Sequence, residues 1–131
     1  MKSSVLGSLL LALLLTLGAF SCEKEELSEN ADWDELKRRE TEIRAFVADR
    51  ACAPDRTCGV IGFGAKPCGG PWSYLVYSLR TTDVAALTQK VDAYNQLERE
   101  LNAKYGRGSD CALVTPPTVV CQNGTCATTT P

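Results

Sequence analysis

A chain of 131 residues with 14 basic and 16 acidic side chains holds one modest domain and carries no surplus of positive charge to offer a nucleic acid. It contains no histidine, which removes Ser-His-Asp and Cys-His catalysis and every His-containing zinc or haem site. Seven cysteines in so short a chain direct attention to disulfides instead.

Met1-Lys2 gives a positive start, Val5 to Leu17 is an apolar run rich in leucine, and Ala19-Phe20-Ser21 sets small residues at the −3 and −1 positions before Cys22. This predicts a signal peptide over residues 1–21. The run is short for a membrane span, which needs about 20 apolar residues. The junction Ala19 to Cys22 resembles the lipobox of bacterial lipoproteins, a resemblance confined to residues 1–26. It implies that Cys22 is acylated and becomes the new N-terminus, so that the protein meets the membrane through a lipid anchor. Setting Cys22 aside leaves six cysteines, the even number a disulfide framework in an exported protein requires. Glu23-Lys24-Glu25-Glu26 is similar to the acidic, lysine-containing tract that marks some Gram-negative lipoproteins for the outer leaflet of the outer membrane. Read on composition alone, it is a solvated spacer. The expected location is therefore the cell envelope, as a surface-exposed outer-membrane lipoprotein, with a secreted or periplasmic protein as the alternative. Residues 22–31 form the acidic tether and 32–131 a single small domain. Losing Lys2 from 14 basic residues leaves 13 against 16 acidic ones, a net charge of −3.

The first predicted helix runs from about 32 to 51. Asn30 or Ser28 caps it, acidic residues fill its first turn, and opposite charges recur four apart, Asp34 with Arg38, Glu35 with Arg39 and Glu40 with Arg44. Its apolar face is narrow, consisting of Leu36, Ile43, Phe46 and Val47 with Trp33 near the start. Pro54 stops it, setting the end near Ala51. From Cys52 to Tyr77 the chain is dense in Cys, Pro and Gly, which interrupt regular structure, so cross-links must hold its shape. Thr57 to Phe63 has β character, with Gly62 and Gly64 marking a bulge or a close backbone contact. Ala65 to Pro71 reads as a cysteine-anchored loop, and Trp72 to Ser78 as a strand whose Tyr74 and Tyr77 face opposite sides.

The clearest helix spans about 83–105. Val84, Leu87, Val91, Tyr94, Leu97, Leu101 and Tyr105 recur at three- and four-residue steps, Thr82 is the expected N-cap, and Gly106 ends it. In the last segment, alternation over Cys111 to Thr115 and Thr118 to Cys121 suggests two strand pieces split by Pro116-Pro117. Asn123-Gly124 predicts a type I′ hairpin that sets Cys121 opposite Cys126, close enough to bridge. A Cys121–Cys126 disulfide is the expectation, with Cys52, Cys58, Cys68 and Cys111 left in any of three pairings.

The predicted fold is α+β: two helices packed on a small antiparallel sheet and stapled by disulfides, each worth about 2–4 kcal/mol where the core is limited. The cysteine spacings lack the CxxC pairs of zinc ribbons and redox sites, so neither metal nor cofactor is expected. Gly59 to Lys66 resembles a phosphate-binding loop only superficially, since Lys66 is displaced by one position and no Ser or Thr follows. With the envelope location implied by the lipobox resemblance and catalysis opposed by the missing histidine, the expected function is a lipid-anchored envelope protein that binds a protein partner and is not an enzyme. One form of this is an inhibitor-like module that presents the 64–72 loop to an extracellular enzyme, with Lys66 and Trp72 as cation and aromatic anchor. Pro67, directly after Lys66, opposes a substrate-like role for that bond, and Trp72 could equally be core. The other alternative is a structural envelope lipoprotein with the first helix as an interaction arm.

Overall fold

The computed structural model describes residues 3–54 and 57–129, with side chains from Glu25 onward; the side chains of Cys22 and of the leader lie outside what is described. In chain order the elements are α1 (Ser3–Phe46), β1 (Cys58–Phe63), β2 (Ser73–Ser78), α2 (Val84–Lys104), β3 (Val119–Gln122) and β4 (Thr125–Thr128). The chain divides into two compact units, Met1–Asp34 and Glu35–Pro131. In the first, helical backbone continues through the segment expected as a tether, so neither Ser28 nor Asn30 starts a helix. Glu, Leu and Ala there are good helix formers, and Trp33 Nε1 donates to Glu29 Oε1 one turn back at 3.1 Å. Among the described residues, no helix is long and apolar enough to cross a membrane.

The second unit has the predicted α+β composition, but with two separate two-stranded sheets in place of one. On α1, Leu36 and Ile43 are buried, as is Val47 directly after the helix. Phe46 stays partly exposed, with the Lys90 ammonium 5.6 Å from its ring centre. The flanks of this stripe carry the ion pairs Arg39–Glu35 and Arg44–Glu40, both at 2.7 Å. Arg38 bonds Glu35 and Glu42, its neighbours three back and four on, instead of the expected Asp34. The helix ends at Phe46, earlier than the expected Ala51, because the residues beyond it pair elsewhere. Arg50 O accepts from Cys126 N at 2.8 Å, Cys52 N donates to Gly124 O at 2.9 Å, and Ala51 bridges Thr125. Ser78 fixes the same stretch, its fully buried hydroxyl donating to Ala51 O at 2.5 Å.

β1 and β2 pair antiparallel from Cys58 opposite Ser78 to Phe63 opposite Ser73. The register is unbroken, so the glycines mark close contact and not a bulge. A Cβ on Gly59 would stand 2.5 Å from Cζ of Tyr77, the residue directly opposite. Tyr77 is buried and Tyr74 half-buried, as their opposite faces imply.

α2 is capped by Asp83, not Thr82: the Asp83 carboxylate accepts from Ala86 N at 3.0 Å. Thr82 is held one residue too early, its N–H bonded to Ser78 O at 3.0 Å in the preceding turn. Gly106, at φ 60, closes the helix, and Arg107 N bonds Asn102 O at 2.9 Å in the six-residue pattern of a glycine-ended helix. Leu87, Val91, Tyr94 and Leu101 form the buried stripe. Tyr94 stacks on Phe63 with ring centres 4.3 Å apart, joining α2 to the end of β1. Burial raises the Tyr94 hydroxyl pKa, with a further push from Glu98.

The C-terminal hairpin forms in the predicted register, with Cys121 opposite Cys126, yet these two do not bond each other. The disulfides are Cys52–Cys121, Cys58–Cys126 and Cys68–Cys111. The local expectation fails because residues 50–52 pair along the hairpin and β1 starts nearby at Cys58, so each hairpin sulfur meets a sulfur from the other side. The strand piece expected over 111–115 is not formed either; only the second piece becomes β3.

Candidate functional site

Where β1 ends, α2 takes hold of the chain. Gly64 turns it at φ 85, a conformation that favours glycine, and a Cβ there would lie 2.6 Å from Cδ1 of Trp72. Three α2 side chains one turn apart grip the buried backbone of Gly64 and Ala65. Asn95 Oδ1 accepts from Gly64 N at 2.8 Å, Glu98 Oε2 from Ala65 N at 2.5 Å, and Asn102 Nδ2 donates to Ala65 O at 2.8 Å. Glu98 also accepts from the Trp72 side chain. Burial pushes the Glu98 carboxyl above its ordinary pKa, and the Ala65 and Trp72 bonds pull the other way.

Beyond this grip the Lys66 to Pro71 loop closes on itself through Lys66 N to Gly70 O at 2.9 Å and Gly69 N to Lys66 O at 2.8 Å. Gly69 and Gly70 both have positive φ, 97 and 80. Lys66 was expected to be a protruding cation; it is instead 5% exposed. Its ammonium is consumed internally, donating to Ala112 O at 2.7 Å and Asp110 Oδ1 at 3.1 Å and lying 5.1 Å from the Trp72 ring centre. Trp72 does reach the surface, with 40% of its area exposed.

The partners of Lys66 belong to a second irregular segment that follows α2. Cys111, at φ 53, is bonded to Cys68, so the two loops are one cross-linked surface. Asp110 also accepts from Ala112 N at 3.1 Å; that bond and then Lys66 hold its carboxyl below its ordinary range. Further on, Tyr74 Oη donates to Val114 O at 3.3 Å. Between these two fixed carbonyls stands Leu113, 96% exposed.

Sequence reasoning brought Lys66, Trp72, Cys68 and Cys111 into view, and the fold unites all four. It did not single out Leu113, Tyr74 as a scaffold donor, or the α2 polar ladder. Asn95, Glu98 and Asn102 recur at helical spacing beside the apolar stripe, a signal that could have found the ladder. The Sγ atoms of Cys52, Cys58 and Cys126 lie within 4.8 Å of one another because two bridges stand side by side; bridged sulfurs present no thiolate to a metal.

Comparison with protein-family models, with curated proteins and with solved structures found no match to this chain.

Proposed function

We propose that this protein is a lipid-anchored component of the bacterial cell envelope, attached at Cys22, whose disulfide-stapled domain acts by binding a protein partner and not by catalysis. One observation carries the binding reading: the 64–72 and 110–114 loops are joined by Cys68–Cys111 and Lys66, and they expose Trp72 and Leu113 from a backbone already fixed. A surface held in this way loses little conformational entropy on association, and exposed apolar anchors on rigid loops are the side chains interfaces use. The anchor and outer-membrane location rest on the Ala19 to Cys22 junction and the acidic tract after it.

Intact mass of protein extracted from membranes, before and after reduction and alkylation, tests this. A diacyl or triacyl mass on Cys22, with six sulfurs alkylated only after reduction, is expected. An unmodified chain beginning at Cys22 would replace the anchored protein with a secreted one carrying a free thiol.

A further inference from the structure

We infer that residues 112–116 are a substrate-like loop that occupies the cleft of a serine endopeptidase with an apolar primary pocket, Leu113 filling that pocket and the enzyme being held instead of fed. This names the partner class of the binding reading above and rests on it.

Endopeptidases take their substrates as extended strands, seating alternate side chains in pockets, and the residue before the scissile bond enters the deepest one. Residues 112–116, Ala-Leu-Val-Thr-Pro, lie in neither sheet nor helix and carry no charge. A small residue precedes the leucine and a β-branched residue follows it. Proline is kept to the third position beyond the Leu113–Val114 bond, unlike Pro67, which sits directly after Lys66. A neutral loop tipped by leucine fits an apolar pocket and not one lined by an acidic group.

A flexible segment with this sequence would be cut. This one is clamped on both sides of the bond. Upstream, Cys111 is bonded to Cys68 and Ala112 O accepts from Lys66 Nζ; downstream, Val114 O accepts from Tyr74 Oη. Pro116 and Pro117 then each fix their own φ, and β3 follows after one intervening residue, where Cys121 is bonded to Cys52. When the enzyme's serine Oγ attacks the Leu113 carbonyl carbon, the Leu113–Val114 C–N bond breaks and the seryl proton passes by way of the enzyme's base to the Val114 nitrogen. The clamps hold that amine beside the acyl carbon. It attacks in reverse, the peptide bond re-forms, and the serine regains its proton. The ordering cost of binding is met in advance, so association is tight while turnover is slow.

The test is inhibition of chymotrypsin and of trypsin by the full-length chain purified in detergent. Competitive inhibition of chymotrypsin is expected, with trypsin spared. Leu113→Lys should weaken the first about 100-fold or more and create the second, with the melting temperature unchanged because Leu113 touches solvent. Tyr74→Phe should speed cleavage at Leu113–Val114 about tenfold, as the loss of one carbonyl clamp implies. Failure to inhibit, or rapid permanent cleavage of that bond in the native chain, overturns the inference. Cross-linking on whole cells separates the two readings. A partner captured equally by wild type and Leu113→Lys leaves the binding reading standing and removes the protease loop; no inhibition and no capture removes both.

Discussion

Lys66 shows how much a residue's meaning depends on what comes to meet it. In sequence it is a lone cation in a glycine-rich loop; folded, it is a buried strut between two loops, because Asp110 and Ala112 arrive from beyond α2. No local pattern announces a partner 44 residues away. Trp72 was legible as either a core or a surface side chain, and it is part of each: it packs by Gly64 and Lys66 while 40% of its area stays exposed. Gly64 was legible as a close contact, and its substitution can be predicted. Gly64→Ala, at φ 85 against the Trp72 ring, should cost about 1–3 kcal/mol in chemical denaturation. Leu87 is fully buried at the N-terminal end of the α2 stripe, so Leu87→Ala should cost about 2–5 kcal/mol in the same measurement.

Elements were read well wherever one periodicity ran uninterrupted. α2, β1 and β2 fall within a residue or two of their predicted ends, since their stripes and β-rich runs are local properties. The end of α1 was not legible, because residues 50–52 are claimed by the C-terminal hairpin far along the chain. The cap of α2 shifted from Thr82 to Asp83 for a local reason, and Asp83→Ala should lower stability by about 1 kcal/mol, with Thr82→Ala costing less. Glu98 gives α2 a pH signature. Its folded pKa is raised above 4.5 by burial, so the folded state binds the extra proton more strongly than the unfolded one. Stability should fall as pH rises from 4.5 through that higher value, and Glu98→Gln should flatten the fall in a melting series from pH 4 to 7. Asp110 has the opposite sign: its contribution is complete above 3.8 and is lost as pH falls through its depressed value.

At the scale of the whole molecule, the six described cysteines make three long cross-links, spanning 69, 68 and 43 residues, and each joins a segment before α2 to one after it. Their number was legible from the parity of the six cysteines that follow Cys22. Their pairing was not, because the hairpin register that favours Cys121–Cys126 is locally correct and is overruled by strand pairing with residues 50–52. Replacing both Cys68 and Cys111 by serine should cost about 2–4 kcal/mol and release the Leu113 segment, while the other two bridges persist. Everything argued for the surface depends on this network. Disulfide mapping of the native protein tests it most directly: trypsin cuts after Arg56, between Cys52 and Cys58, hydroxylamine cuts Asn123–Gly124, between Cys121 and Cys126, and thermolysin cuts before Ile61 and before Val119, separating Cys58 from Cys68 and Cys111 from Cys121. Fragments linked as 52 with 121, 58 with 126 and 68 with 111 are predicted. A bond between Cys121 and Cys126, or Cys111 joined to anything but Cys68, would contradict the cross-linked surface on which the functional reading stands.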